Sequence, residues 1–422
     1  MVMPTNVLTQ VITYQRSNLA FLRTSYAFIS DANKKFKNFE KMTGNLGDTV
    51  SWDLPPRYTT TASLVASFQP STQRIATLTV DQPVSVSYAF NVQQFIFNVK
   101  EYMSVFGKAA VIRLGNKVEA YMAGFCETKP YRFYGDGVTA INSFGQLGSA
   151  LAYFRDAGYA DSNIRGYLPT TVVPTIVNTG LSQFVIDRNE QMASSWKLGR
   201  FGKCEWRETS FLPLHVSGTV GNGATAAIQT LTVVSVDDAT GNAVTQITCT
   251  CDASLSGSAT AILAHDRGVF LDGVAGQSNI RYLVANSDVV SSNPVQIRMT
   301  SSAAASGTTV VLSVDPTLCW VAANANCNLS VPIAAGMKIK IMPSHRVGMI
   351  YSGDALFLGM PQLPEEVPFP TANEADADTG VSMRMYYGSL FGQNQRGFVH
   401  DAIYGGTLMG EYSMALLFPV TQ

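Results

Sequence analysis

Hydrophobic and polar positions change rhythm several times along the chain, and each change predicts a new element. From Asn6 to Ser30 the apolar residues Leu8, Val11, Ile12, Leu19 and Leu22 recur near a 3.6-residue period. That spacing predicts an amphipathic helix, with Asn6 placed to cap it. Over residues 48–88 the rhythm becomes alternation: "TVSWDL", then "RIATLTV", then "VSVSYAF". Alternation of this kind predicts long strands, and Pro55, Pro56, Pro70 and Pro83 punctuate them. The pattern suits an extended two-stranded arm with a loose tip near "TTTASLVASFQPSTQ". Its few large apolar residues cannot build a private core, so the arm must lie on something else. From Val92 to Cys126 the period is helical again. Phe95, Val99, Tyr102, Met103, Phe106, Ala110, Leu114, Val118, Tyr121, Met122 and Phe125 form one stripe. A helix of that extent would be on the order of 50 Å long. Gly107 and Gly115 argue against a single straight rod.

Residues 130–212 mix short helices and strands. "FGQLGSALAYFRDAG" predicts a helix stopped by Gly158, and "RGYLPTTVVPTIV" a strand followed by a helix entered at Pro174. "DRNEQMASSWKLG" predicts a short helix and "KCEWRETSFLPLHVSG" a strand running into a loop. The composition then breaks. No lysine occurs between Lys203 and Lys338, and no glutamate between Glu208 and Glu365. Short alternating runs rich in Thr, Ser, Ala, Val and Gly fill the gap. They predict an inserted all-β domain, a barrel or a sandwich, over residues 214–333. The earlier style resumes at "MKIKIMPSHRVGMIYSGDALFLGM" and ends in strand-like alternation. The fold class is therefore α+β, in six segments: an N-terminal arm 1–43, an extended β-loop 44–90, a long-helix segment 91–130, a mixed domain 131–213, the insert 214–333, and the remainder of the mixed domain 334–422.

Composition sharpens this picture. The chain has 422 residues, 46% hydrophobic and only 14% charged, against about 25% charged in ordinary soluble proteins. Such a chain must bury much of its surface or cover it with partners. The net charge of −1 argues against a dedicated nucleic-acid binder, which is normally basic. No secretory signal or uninterrupted apolar span is visible, so the expectation is a cytoplasmic protein without a membrane span. Six cysteines, Cys126, Cys204, Cys249, Cys251, Cys319 and Cys327, then read as buried thiols. Lys34, Lys35, Lys37 and Lys41 cluster closely. They read either as a solvated face or as a contact surface for an acidic partner or nucleic acid.

Candidate chemistry is sparse. "GDGVTA", Gly135 to Ala140, matches a dinucleotide-loop pattern, with Asp156 near the position of a ribose-binding acid. The strand before it is short, however, and Gly145 and Gly148 would interrupt the helix such a loop must open, so a plain loop is expected. There is no nucleophile elbow, Walker loop or H-E-x-x-H run. His215, His265, His345 and His400 are far apart in sequence and read as structural. Cys249 and Cys251 with Cys319 and Cys327 lack a recognised zinc spacing. "NEADADTG", Asn373 to Gly380, lacks the closing glutamate of a calcium loop and reads as a solvated turn. No enzyme, cofactor or metal is expected.

The order of parts nevertheless resembles a known family. "GNLGDTVSWDLPPR", Gly44 to Arg57, resembles the entry to the extended loop of tailed-phage major capsid proteins with the HK97 fold. "RLGNKVEAYMAG", Arg113 to Gly124, resembles the end of their spine helix. "LGRFGKCEWRETSFLPLHVSGTVG", Leu198 to Gly221, resembles the run before the inserted β-domain of the phage P22 coat family. "SHRVGMIYSGDALFLGMPQLP", "TGVSMRMYYG" and "DAIYGG" resemble segments after that insert. The matches run from about residue 40 to 412. The resemblance implies a structural protein of the virion, assembled in the host bacterial cytoplasm. It would form pentamers and hexamers of an icosahedral shell around packaged double-stranded DNA. Implied partners are a scaffolding protein, a portal protein and, in some phages, a decoration protein. On that reading, Trp52, Arg57, Tyr58 and Arg74 of the arm and Asp237, Asp238 and Arg267 of the insert are inter-subunit contact candidates. Arg281 and Arg298 would add inter-subunit ion pairs. Lys34, Lys35, Lys37 and Lys41 would face scaffold or DNA. The alternatives are another virion component, such as a decoration or tail protein, or a nucleotide-binding enzyme using the "GDGVTA" loop.

Overall fold

The computed structural model describes residues 26–33, 48–54, 56–58, 74–91, 107–158, 163–180, 199–284, 289–353, 355–363, 371–376, 381–390 and 395–421. The predicted helix before Tyr26, the first part of the long helix, the arm tip, the helix at "DRNEQMASSWKLG" up to Leu198, and Lys34, Lys35, Lys37 and Lys41 lie outside them. The chain divides into two compact units. One comprises Met1–Asp53, Ile75–Ala123 and Gly353–Leu408; the other Leu54–Arg74, Gly124–Ser352 and Met409–Gln422.

In the first unit, the alternating segments form strands as expected. Asp48–Leu54 pairs with Arg74–Val80 as a two-stranded ribbon. Its buried residues are Val50, Leu78 and Val80, while Thr49, Ser51, Thr77 and Thr79 between them are exposed. Gln82–Asn91 runs along Gln395–Leu408, joining a sheet that continues through Val381–Leu390 to Thr371–Asp376. The stretch expected as an acidic turn, Asn373 onward, is thus strand up to Asp376. A fifth strand, Leu356–Gly359, pairs with the other end of Gln395–Leu408. Phe398, His400, Ala402 and Tyr404 alternate on one buried face of that long strand. Tyr404 meets Tyr121 of the long helix edge to face at 5.2 Å.

The long helix is described over Lys108–Thr128, about 31 Å at 1.5 Å per residue. It runs unbroken through Gly115. Val111, Leu114, Val118 and Met122 are wholly buried; packing of this stripe outweighs the roughly 1 kcal/mol propensity cost of glycine. Glu119 projects into the core and accepts the Phe28 and Ile29 amides at 2.8 and 3.1 Å. It thereby caps the short helix Ala27–Asp31, whose N-cap Tyr26 makes no side-chain cap.

The second unit is built on a mixed sheet. Its order is Arg132–Tyr134, Ser413–Pro419, His345–Ser352, Ile164–Pro169, Cys204–Thr209, Gly199–Phe201, and Leu214–His215 also pairs with His345–Ser352. Every residue of Ser413–Pro419 is buried, as expected of a strand covered on both faces. The helices Phe144–Asp156 and Val173–Gly180 share its core through Leu147, Leu151, Phe154, Ile176 and Val177. The helix expected from "FGQLGSALAYFRDAG" is present as Phe144–Asp156 and carries Gly145 and Gly148 within it. A full capping box between Ser143 and Gln146 starts it, and its buried face holds it.

The insert is a closed six-stranded barrel. In order around it are Val244–Thr250, Thr309–Leu318, Gln296–Met299, Arg267–Phe270, Lys338–Ile341 and Thr230–Val236. Leu231, Val233, Ile247, Phe270, Ile297, Leu312 and Ile339 fill its core. Closure needs Lys338–Ile341, so the insert runs past residue 333. The lysines that seemed to mark the return of the outer domain alternate with Ile339 and Ile341, which point inward. The chain leaves the sheet for the insert and returns to it at adjacent places: His215 and His345 are paired across the ladder, and the whole barrel lies between them in sequence.

Candidate functional site

The predicted contact residues fall in three places. At the root of the arm, Trp52 is half-buried and packs on Phe357, ring centroids 4.5 Å apart. A residue of the first unit's sheet thus lies beneath this inter-subunit contact candidate. Arg57 and Arg74 both turn to one carboxylate oxygen of Glu411, at 2.9 and 2.7 Å. Two guanidinium groups thus share one anion. Tyr58 is 60% exposed and Ile75 57% exposed, immediately next to these arginines in sequence. Lys34, Lys35, Lys37 and Lys41 lie outside the described residues.

On the insert, Asp237 and Asp238 sit on a solvent-facing turn and organise it themselves. Asp237 accepts from the Thr245 hydroxyl at 2.6 Å, and Asp238 from the Thr240 hydroxyl and the Asn242 and Ala243 amides. Hydrogen bonds from Thr240 and Ala243 hold the Asp238 carboxyl down at about 2. Arg281 pairs with Asp272 and Arg298 with Asp315, both inside the chain. These ion pairs, expected between subunits, are intramolecular.

Arg267 is the clearest correction. Its side chain is 0% exposed, so it presents no surface to a neighbouring subunit. The guanidinium donates to the Cys126 and Glu127 carbonyls at 3.2 and 3.0 Å. These are last-turn carbonyls of the long helix, which lack partners within it. A cation at a helix C-terminus also complements the helix dipole. Its other arm lies 3.0 Å from His345 Nε2. Burial lowers Arg267 to about 10, still far above neutrality. His215 sits alongside, its ring 5.1 Å from that of His345. Its Nδ1 is 2.7 Å from Glu127 and its Nε2 2.9 Å from Asp266. Asp266 receives the Gly218 and Leu263 amides on its other oxygen. His265, two residues before Arg267 in the turn that leads into its strand, lies 3.0 Å from Arg298 and adopts a left-handed backbone, φ 71°.

Sequence reasoning treated the histidines as separate; three of the four converge here. The signal available was their place in the chain, with His215 and His345 bracketing the insert. His400 is apart from them, buried beside the Tyr88 hydroxyl at 3.1 Å, and burial pulls it down to about 4.

The nucleotide-loop pattern is occupied by its own side chain. Asp136 accepts the Val138 and Thr139 amides at 2.9 and 2.6 Å, the donors a phosphate would need. Gly135 and Gly137 supply the positive φ of the turn. Asp156 is engaged by Ser291 and Asn293 of the insert. Cys249 and Cys319 are buried thiols of the barrel region. Among the described residues, no three His, Cys, Asp or Glu side chains come together as metal ligands.

No protein-family model matches the chain, and no curated protein does. Solved structures with a similar course of the chain include one from Mycobacterium phage Che8. It is 8% identical, with 93% of this chain and 90% of that one covered and a TM-score of 0.45. The capsid of Ralstonia phage GP4 is 7% identical, covering 90% and 86%, with a TM-score of 0.43. The capsid structure of cyanophage P-SCSP1u is 9% identical, covering 92% and 88%, with a TM-score of 0.40. All three scores lie below 0.5, so the functional reading rests on the chain's own features.

Proposed function

We propose that the chain is the major capsid subunit of a tailed-phage head with the HK97 layout. In that reading it forms pentamers and hexamers of an icosahedral shell around double-stranded DNA, with a scaffolding protein guiding assembly. Portal and decoration proteins are further partners. The observation that carries the reading is the arm: a two-stranded ribbon with one face exposed, no core of its own, and a long helix following it in sequence. A ribbon of two strands is marginal in isolation. Its exposed face gains stability by lying across a second copy.

The arm root supplies chemistry for that contact. Arg57 and Arg74 on a single Glu411 leave one positive charge over, flanked by exposed Tyr58 and Ile75. An acidic side chain of a neighbouring subunit fits this patch, and Arg and Tyr are favoured interface residues. Asp237 and Asp238 offer the complementary charge on the insert. Lys34, Lys35, Lys37 and Lys41 would face scaffold or genome, where charge reversal should impair assembly more than folding. Low overall charge suits a subunit whose surface neighbours cover, and near-neutrality suits a container that must release its nucleic acid.

Negative-stain microscopy of the expressed protein, with and without its cognate scaffold, tests the proposal. Closed shells of uniform size are expected, and a map of them should show the arm across an adjacent subunit. A protein that stays monomeric with scaffold, or shells in which the arm contacts only its own chain, would sink it.

A further inference from the structure

The junction between insert and sheet has an unusual proton requirement. Both nitrogens of His215 face carboxylate oxygens, Glu127 at 2.7 Å and Asp266 at 2.9 Å. A neutral imidazole has one N–H and one lone pair. Deprotonated, it would set a lone pair against an anionic oxygen at hydrogen-bond distance, with the residue only 2% exposed. Water has little access to relieve that clash. His345 shows the opposite arrangement. Its Nδ1 lies 2.6 Å from the Pro343 carbonyl and must donate, while its Nε2 faces the Arg267 guanidinium and must accept. Two histidines with rings 5.1 Å apart are therefore fixed in different charge states.

We propose that His215 is a proton-binding latch: as an imidazolium between Glu127 and Asp266 it docks the inserted barrel onto the end of the long helix. Losing its second proton loosens that docking. The surrounding charges agree. Arg267 and imidazolium His215 offset the two carboxylates, whereas a neutral His215 leaves an uncompensated buried negative charge, a costly state. His345 is neutral, pulled down to about 2 by burial and then by Arg267. His265 is held below its ordinary value by burial and by Arg298, so neither substitutes for His215. Cys126 gives its carbonyl to Arg267. Burial opposes the charged form of His215, but its bonds to Asp266 and Glu127 outweigh that and raise it. Burial likewise pushes Glu127 up, yet the bond and charge of His215 bring it below the usual carboxylate value.

The direction follows by linkage. A histidine raised in the folded state contributes stability that is complete below its ordinary value and lost as pH rises through the folded one. Glu127, lowered, contributes stability that is lost as pH falls. The junction is tight between these two limits and opens toward alkali as well as acid.

Imidazole nitrogen NMR on the full-length, histidine-labelled protein tests this. At pH 7 one of the four rings should carry protons on both nitrogens, and that signal should be missing in His215→Gln. Glu127→Gln, which keeps an acceptor but removes its charge, should lower the deprotonation midpoint by about one pH unit or more; it serves also where His215→Gln does not fold. The thermal midpoint of the wild type should drop as pH rises through that titration. No doubly protonated ring at pH 7, a midpoint unmoved by Glu127→Gln, or a thermal midpoint indifferent to the titration would each overturn the latch.

Discussion

The arm ribbon and the inserted barrel are written in the same alternating code, yet they end in opposite states. In the barrel, six strands close on themselves. Every inward side chain meets another, and no edge remains open. In the ribbon, two strands share one ladder, and the residues alternating with Val50, Leu78 and Val80 face outward. Closure makes the barrel's stability a property of one chain. The ribbon's stability depends on what it is laid against.

The largest effect that sharpens this contrast should come from Phe270→Ala, which empties a core position of the barrel that is 1% exposed. About 3–5 kcal/mol of subunit stability should be lost, visible as a lower urea midpoint, and the unassembled subunit should show it in full. Next comes Gly405→Ala. A Cβ at Gly405 would overlap the Thr79 carbonyl and crowd Val80, where the ribbon meets the sheet of its own unit. Forcing the backbone apart should destabilise by about 1–3 kcal/mol, again read by urea unfolding; an unchanged midpoint would show that the ribbon is not seated there. The smallest effect on the isolated subunit should come from Ile75→Ser. As an exposed position it should shift folding stability by no more than about 0.5 kcal/mol. Assembly followed by light scattering should nevertheless slow markedly. A large folding defect with normal assembly would erase the contrast between ribbon and barrel.

Much of this architecture was legible because alternation and helical period are local signals. The ribbon strands, the long helix and the all-β class of the insert all follow from them. The insert's end was misplaced because Lys338 and Lys340 looked like a new composition, although a barrel strand carries charge on its outer face as readily as threonine. Gly115 suggested a break that tertiary packing overrode. The contact residues were least legible. Arg57, Arg74, Arg281 and Arg298 all find anions inside the chain, and Arg267 is consumed at the junction. A sequence shows that a side chain is charged, but which anion comes near it is decided by long-range folding. The convergence of His215, His265 and His345 is of the same kind, since it exists only once the barrel has docked.

The pairing of His215 with His345 has a consequence for the history of the protein. Adjacent residues of an antiparallel ladder lie about 5 Å apart, so the barrel leaves and re-enters the sheet through a gap that a tight turn could close. A domain whose two ends coincide can be gained, lost or exchanged without redrawing the host fold. The insert has the layout of such a domain, with its two ends brought together at the two histidines. Any replacement that joined the same ladder would keep that pairing but would have to satisfy the Phe133 amide and carbonyl, which Gln296 of the barrel now bonds. It would still have to bring its own cation to the end of the long helix, and its own acid to His215.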